Sequence, residues 1–515
     1  MRRAYQVEAV RAAERALMDL LSEGVLMNRA AAGLAAVCGS LLDRYPGHVY
    51  GARVVVLAGS GDNGGDALYA GARLARRGAA VTAITAAPKA HEGGTADLRA
   101  AGGRVTGAAA KDAAKDAIAR ADLIIDGLLG IGGRGGLREP FAGLAEAAEQ
   151  ARQQGATVVA VDLPSGIDAD TGAVDGPAVR ADVTVTFGAI KPGLLIDPGA
   201  GHAGTVELVD IGLQPEGEPA VAAPQRDDIA ARLPRPGPES DKYRRGVVGV
   251  LAGSDRFAGA AVLATGGAVR GGAGMVRVVT ASVPAAVVRQ TWPEVVLTVH
   301  PDDGDWDLAS SVGRVQAWVA GPGMGTGPDA VARLAAVLAT DLPALVDADG
   351  LTILSQHPDL LPRRAPTLIT PHAGELSRLL GTDAAAIEAR RLEHARQAAE
   401  RLGLTVLLKG STTVIASPGD PTALVNPTGT PWLATAGTGD VLSGLAGSLL
   451  AQGLEPAWAG AVAAYLHGLA ARLAAAGTRR PGRRRGAPTE PVPEAPIGAF
   501  DVITSLPAAI RAVVS

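Results

Sequence analysis

Ala434-Thr435-Ala436-Gly437-Thr438-Gly439-Asp440-Val441-Leu442-Ser443-Gly444 decides how the second half of this chain is read. Its glycines let a backbone come close to an anion. The helix that follows offers unpaired N–H groups and the positive end of its dipole. Asp440, at the helix start, points at the same space, where a carboxylate can take a proton from a hydroxyl attacking phosphate. Taken alone, the motif also suits an ordinary loop with an aspartate cap.

The neighbouring motifs decide between these readings. Lys409-Gly410-Ser411-Thr412-Thr413 follows a strand candidate and supplies a cation, hydroxyls and amides suited to phosphate. Thr370-Pro371-His372-Ala373-Gly374-Glu375, Asp347-Ala348-Asp349-Gly350 and Gly321-Pro322-Gly323-Met324-Gly325 follow three more. Ligands in open α/β sheets bind beyond the carboxyl ends of strands. Four polar or glycine-rich motifs at one such edge exceed what loop chemistry alone requires.

Strand-like runs at 247–251, 275–279, 295–299, 317–320, 344–346, 367–369 and 405–408 alternate with helix candidates at 328–339, 384–402, 440–452 and 456–475. A first series occupies the other half, with strand candidates at 54–57, 81–85, 123–125, 158–161, 183–187 and 206–209. Before it lie two amphipathic stretches, 8–21 and 26–41, the first with Val10, Ala13, Leu17, Leu20 and Leu21 on one face. Alternating signals of this kind predict parallel sheets. Between the halves, six prolines fall within 214–240, which reads as a linker.

Composition narrows the field. With 47% hydrophobic and 19% charged residues, the 515-residue chain can build two cores and is not of disordered type. Lys and Arg number 48 against 52 Asp and Glu, so no basic footprint points to nucleic acid. Cys38 is the single cysteine; it allows no internal disulfide, lies in an apolar helical stretch and reads as core. Glu8, Glu14 and Asp19 interrupt any apolar signal core, and no run of ~18 uninterrupted apolar residues appears. A cytoplasmic protein without a membrane span is expected. The arginine- and proline-rich island at 478–496 reads as a surface loop.

The second-half motifs resemble the ribokinase-like fold and, more closely, the ADP-dependent NAD(P)H-hydrate dehydratases. The resemblance runs from about Asp241 to Pro507 and includes Lys242-Tyr243-Arg244-Arg245-Gly246, Ala252-Gly253-Ser254, Gly259-Ala260-Ala261, Gly272-Ala273-Gly274 and Pro293-Glu294-Val295. It implies dehydration of the S form of hydrated NADH or NADPH. Phosphoryl transfer from ADP turns the ring hydroxyl into a leaving group, and elimination releases AMP and phosphate, with magnesium (Mg2+) implied. It also implies that Lys409, Gly410, Ser411, Thr412, Thr413 and Gly439 hold the nucleotide. Ala260, Gly323, His372 and Asp440 would contact the hydrate, with Asp440 as the base; His372 also suits a cap. Trp432-Leu433 stands where relatives often carry a smaller Gly-Met pair, and the 478–496 island looks like an insertion.

In the first half, the strand at 54–57 runs into Ala58-Gly59-Ser60-Gly61-Asp62-Asn63-Gly64-Gly65-Asp66 and a helical segment. Strict Gly-x-Gly-x-x-Gly spacing is missing. Two more loops follow strands, Asp126-Gly127-Leu128-Leu129-Gly130 through Gly136 and Asp162-Leu163-Pro164-Ser165-Gly166-Ile167-Asp168. With Leu26-Met27-Asn28-Arg29-Ala30-Ala31-Ala32-Gly33 and Gly188-Ala189-Ile190-Lys191-Pro192-Gly193, they resemble the NAD(P)H-hydrate epimerase family over about residues 5–213. That resemblance implies potassium (K+) at Asn63, Asp126 and Ser165. It implies a hydrate site lined by Asn63, Gly64, Gly65, Asp66, Gly130, Ile131, Gly132, Gly133, Arg134, Gly135, Gly136 and Asp162. Asp162 would handle protons as the R and S hydrates interconvert; Lys191 assists it or holds a loop.

The expected architecture is an N-terminal Rossmann-like α/β/α sandwich over 1–213, a linker over 214–240 and a C-terminal ribokinase-like α/β/α domain over 241–515. Family resemblance suggests a homo-oligomer. Two rivals remain at this stage: a small-molecule (vitamin alcohol) kinase sharing Gly-Thr-Gly-Asp, and a first half that only binds.

Overall fold

The computed structural model describes residues 1–86, 90–133, 135–300, 308–361, 363–477 and 494–515. Most of the 478–496 island and Arg134 lie outside the described residues. Contacts divide the chain into two units, Arg2–Val221 and Ala222–Ser515.

The first unit begins with short β1 (Arg2–Ala4). Its sheet comprises β2 (Arg53–Ala58), β3 (Ala80–Thr85), β4 (Arg104–Gly107), β5 (Leu123–Gly127), β6 (Thr157–Val161), β7 (Val183–Phe187) and β8 (Thr205–Val209). Their order is β4-β3-β2-β5-β6-β7-β8, parallel throughout. Both faces are covered, which explains the unbroken Val/Ile/Leu runs. Alternate residues of β2 serve opposite faces. Val54 and Val56 pack with Leu34 and Leu74, while Val55 and Leu57 pack with Ile118 and Leu144. Cys38 is fully buried in the first of these cores, which pushes its thiol up to about 12. The strand order reverses between β2 and β5, so the loops after these two strands flank a switch-point crevice.

The second unit contains β9 (Val221–Ala223), β10 (Val247–Leu251), β11 (Met275–Thr280), β12 (Val296–Val299), β13 (Ala317–Ala320), β14 (Ala344–Val346), β15 (Thr367–Ile369), β16 (Thr405–Leu408), β17 (Thr413–Ala416) and β18 (Ala423–Asn426). The order is β9-β18-β17-β16-β15-β14-β13-β10-β11-β12. Strands β10 to β16 and the β11–β12 edge run parallel, and β17 and β18 add an antiparallel hairpin. The helix Thr438–Ala451 is buried from Val441 to its end. It crosses Ala258–Arg270 so closely that a Cβ on Gly444 would lie 1.9 Å from the Ala264 carbonyl oxygen.

Three expectations are corrected. The stretch 214–240 is not a bare linker: β9 and the helix Arg226–Arg232, closed by a Gln225–Asp228 capping box, lie within it and bury Ala222, Ala223 and Ile229. The helix expected over 384–402 breaks at Arg390 into Ala384–Ala389 and Arg391–Leu402, which turns Arg391 into the interior. The first amphipathic helix stops at Met18, leaving Leu20 exposed. Two helices, Val25–Arg44 and Pro456–Ala476, match a membrane span in length and hydropathy. Both bury apolar side chains within their own units, Leu34 and Leu42 in the one, Val462 and Leu466 in the other.

Candidate active sites

In the second unit, four parallel strands end at one edge. Lys409 leaves β16, Asp347 leaves β14, His372 follows β15, and Gly321 to Gly325 follow β13. Lys409 Nζ donates to Asp347 Oδ1 at 2.7 Å and lies 3.6 Å from Glu375 Oε2. Ser443 Oγ donates to Asp347 Oδ2 at 2.7 Å. Asp347 is thus held from both sides while almost fully buried. Burial works against the Lys409 ammonium, but Asp347 and Glu375 outweigh it and raise its pKa. The backbone at Ala348 adopts φ 51°, a region β-carbon-bearing residues avoid.

Asp440 lies in the first turn of Thr438–Ala451. Burial, then the charge of Asp347, pushes its carboxyl up to about 7; Lys409 opposes the rise, and Asp349 and Glu375 add to it. A base poised near neutrality suits proton abstraction. A Cβ on Gly439 would lie 3.6 Å from Lys409 Nζ and 3.9 Å from Asp347 Oδ2, so the glycine loop closes directly over the ion pair.

Beside this centre is a cavity of about 470 Å³, lined by Lys409, Gly410, Ser411, Thr413, Gly439 and His467 among others. Thr412 is buried behind the loop. Arg391, also buried, holds both ends of that loop: its guanidinium donates to the Lys409 carbonyl at 2.6 Å and the Thr412 carbonyl at 3.2 Å, and pairs with Glu388. His467 faces the Thr438 carbonyl through Nε2 at 2.9 Å, and burial drops its pKa to about 4, so it is a neutral donor.

Gly323 and Ala260 come together: a Cβ on the glycine would lie 2.7 Å from that of Ala260. His372 caps the helix Ala373–Leu380. Its Nδ1 accepts from the Gly374 N–H at 3.0 Å, and its own N–H donates to Glu375 Oε2 at 2.7 Å. Nε2, on a mostly exposed ring, lies 3.6 Å from Glu375 Oε2. Asp347, Glu375, Ser443, His467 and Arg391 escaped selection from sequence. Asp347 and Glu375 stood inside quoted motifs, whereas nothing local marks Arg391 or His467.

In the first unit, Asp162 follows β6 with φ 66° and is buried. Its Oδ1 pairs with the fully buried Lys191 ammonium and accepts from Thr186 Oγ at 3.0 Å and the Phe187 N–H at 3.3 Å. Lys191 also donates to Thr186 Oγ at 3.1 Å. Asn63, Gly64, Gly65 and Asp66 form the opening turns of the helix Asp62–Arg76. Asn63 donates to the Val161 carbonyl at 2.7 Å, and a Cβ on Gly130 would lie 2.3 Å from Asn63 Oδ1. Asp126 and Ser165 meet: the serine N–H and hydroxyl donate to the carboxylate at 2.8 and 2.7 Å. Burial raises Asp126 to about 6 despite these bonds. No hydrogen bond among the described residues joins Asn63 to either. Ile131, Gly132 and Gly133 continue the loop, with Arg11 donating to the Ile131 carbonyl at 3.5 Å. Gly136 packs on Gly176. Glu14, on the helix Val7–Met18, reaches this centre: burial raises its carboxyl, Lys191 opposes the rise, and Asp162 and Asp62 reinforce it.

A doubly wound sheet with a buried aspartate–lysine pair beyond its strands, and a second sheet with a phosphate-type loop, define a two-centre α/β enzyme. The family described as NAD(P)H-hydrate dehydratase matches residues 248–482, and that described as YjeF-related protein N-terminus matches 23–193. The bifunctional NAD(P)H-hydrate repair enzyme of Mycobacterium tuberculosis is 50% identical over 456 residues, covering 88% of this chain and 90% of that one. That of Mycobacterium leprae is 48% identical over 479 residues, covering 92% and 95%. Among solved structures, the ADP/ATP-dependent NAD(P)H-hydrate dehydratase of Bacillus subtilis is 29% identical and covers 56% of this chain and 97% of its own, with a TM-score of 0.48. The chain belongs to the bifunctional NAD(P)H-hydrate repair enzyme family.

Proposed function

We infer that the chain repairs hydrated NADH and NADPH in the cytoplasm, its first unit interconverting the R and S hydrates and its second dehydrating the S hydrate at the expense of ADP. The observation that carries the reading is a buried aspartate paired with a lysine at the carboxyl edge of the parallel strands in each sheet, in a chain related over most of its length to bifunctional repair enzymes.

In the second unit, Lys409 and the amides of the 410–413 loop bind the nucleotide phosphates, and Arg391 fixes that loop. The helix N-terminus at Gly439 faces developing negative charge. Asp440 takes the proton of the ring hydroxyl as its oxygen attacks phosphorus, and AMP leaves. Loss of phosphate and a ring proton then restores the dihydropyridine. Asp347, Glu375 and Asp440 act on the Lys409 ammonium, and Asp349 adds its charge at Asp440, an excess of negative charge that suits magnesium carried in with the nucleotide phosphates. We assign Asp349 and Glu375 to hold it; when bound, it neutralises phosphate charge. Relatives of the kinase class share the loop, but the family matches favour repair.

In the first unit, Asn63, Asp126 and Ser165 offer only oxygen ligands. Asp126 is fully buried with no cationic side chain paired to it among the described residues, which fits potassium. When bound, the ion supplies the missing positive charge. The hydrate lies against residues 63–66 and the 130–136 loop, with Asp162 as proton acceptor, oriented by Lys191 and Thr186.

The test supplies the protein with mixed-epimer hydrate, ADP and Mg2+ and follows recovery of NADH absorbance. Full recovery that Asp440→Ala abolishes supports the reading. Enzymatic recovery of one epimer alone removes the first half of it, and accumulation of a stable phosphorylated product removes the second.

A further inference from the structure

Asp66 lines the proposed hydrate site, but the mechanism above gives it no part in proton transfer. It lies one helical turn beyond Asp62 on the helix Asp62–Arg76, is 7% exposed, and its buried Oδ1 has no hydrogen-bond partner among the described residues. Burying a polar atom without a partner is costly, and native structures seldom leave one so. A partner supplied by substrate removes the anomaly. Asp162 is its opposite. There Lys191, Thr186 and Phe187 all converge on Oδ1, so a cation holds the group and its other oxygen is left to accept.

We propose that Asp66 is the proton donor of the first centre, acting with Asp162 as acceptor in the interchange of the hydrate epimers. This rests on the epimerase reading above. The charges facing Asp66 come from several elements: Asp62 on its own helix, Glu14 on the helix Val7–Met18, and Asp162 after β6. Lys191 and Arg11 act on Glu14 rather than on Asp66. The His91 ring lies against Gly65, 3.0 Å from where a Cβ would be. Burial first, then the negative charge of Asp162, Asp62 and Glu14, raises Asp66 well above the ordinary carboxylate range. A carboxyl raised in this way has a proton to give, and one bonded to a lysine at one oxygen can take a proton at the other.

The step balances. Asp66 gives its proton to the ring hydroxyl, the C–O bond breaks, and the ring-nitrogen lone pair forms a C=N bond as water leaves. Water adds to the other face, the new C–O bond returns the electron pair to nitrogen, and the excess proton goes to Asp162. Exchange with solvent returns the proton from Asp162 to Asp66. Ring opening uses the same pair, with Asp162 taking the hydroxyl proton while Asp66 protonates the departing nitrogen.

The experiment uses the full chain and a purified single hydrate epimer, with ADP omitted, following appearance of the other epimer by chromatography. Wild type is expected to show a rate that falls at high pH as Asp66 ionises. Asp66→Asn should lower kcat about 100-fold or more, with KM changed far less. Asp66→Glu should regain part of the rate with the high-pH limb displaced, and it keeps the proposal testable if the asparagine variant folds poorly. Asp66→Asn turning over at the wild-type rate overturns the proposal. So does a high-pH limb left unmoved in Asp66→Glu, which marks a packing role. A wild-type rate no faster than the uncatalysed one overturns the epimerase reading itself, a result distinct from both.

Discussion

Asp440 presents an opposition between stability and function that one substitution isolates. Its carboxyl stands at about 7 against an ordinary 3.8, and a rise of that size corresponds to ~4 kcal/mol of unfavourable environment for the ionised form. The side chain is only partly withdrawn from solvent, so screening roughly halves this to about 2 kcal/mol. Asp440→Asn keeps the shape and removes the charge. A carboxyl raised on folding leaves stability intact below its unfolded value and erodes it as pH climbs toward the folded value. The gain from Asp440→Asn should therefore be small near pH 4, grow through pH 5 and 6, and level off above about pH 7.

All five tryptophans, Trp292, Trp306, Trp318, Trp432 and Trp458, fall in sequence within residues 222–515, the range of the second unit. Denaturant unfolding followed by tryptophan emission thus reports on that unit alone. The expected result is an asparagine variant about 2 kcal/mol more stable at pH 8 that no longer dehydrates the hydrate. An asparagine variant equally or less stable at pH 8, or a gain that does not vary with pH, refutes the assignment of Asp440 as a base held at a cost to the fold.

Three further outcomes follow from the same centres. Lys409 lowers the Asp440 pKa, so Lys409→Met should shift the rising limb of the dehydration pH–rate profile, near pH 7 in wild type, to higher pH; a profile at saturating nucleotide checks it. Arg391→Lys keeps a charge but cannot reach both the Lys409 and Thr412 carbonyls, so nucleotide Kd should rise about 10-fold with the hydrate site unaffected, measured by calorimetry. Lys191→Met strands the buried Asp162 carboxylate and should destabilise the first unit by about 3–5 kcal/mol, read from amide hydrogen exchange in β6 and β7.

Most strands of both sheets, though not β4 or β9, were legible because buried parallel strands read as continuous Val/Ile/Leu runs, and β2, β5, β10 and β13 sit close to their expected places. The hairpin β17–β18 was missed although Thr413–Ala416 and Ala423–Asn426 flank a Pro-Gly-Asp turn. Four-residue strands carry too little pattern to separate from loop. Glycine loops and their aspartates were visible because such backbone needs those residue types. Arg391 was not, since its role comes from a helix break at Arg390 that places a guanidinium under a loop 18 residues away in sequence. Glu14 was hidden for a related reason: a polar residue on an amphipathic helix looks like a solvated one until tertiary packing turns it toward a site.

Asp162 and Ala348 are the two non-glycine residues with positive φ among the described residues. One is the aspartate bound by Lys191, and the other directly follows Asp347, bound by Lys409. Each such backbone costs of order 1–3 kcal/mol and persists only where the surroundings over-determine it. In both units the surroundings are the same device: a parallel strand ends, the chain turns sharply, and a lysine from a later loop clamps the carboxylate beyond the strand. The lysine offsets the desolvation of the carboxylate. Two sheets of different strand order thus reach one solution for presenting a carboxylate at the sheet edge, with strain located at the proposed sites rather than in the packed layers.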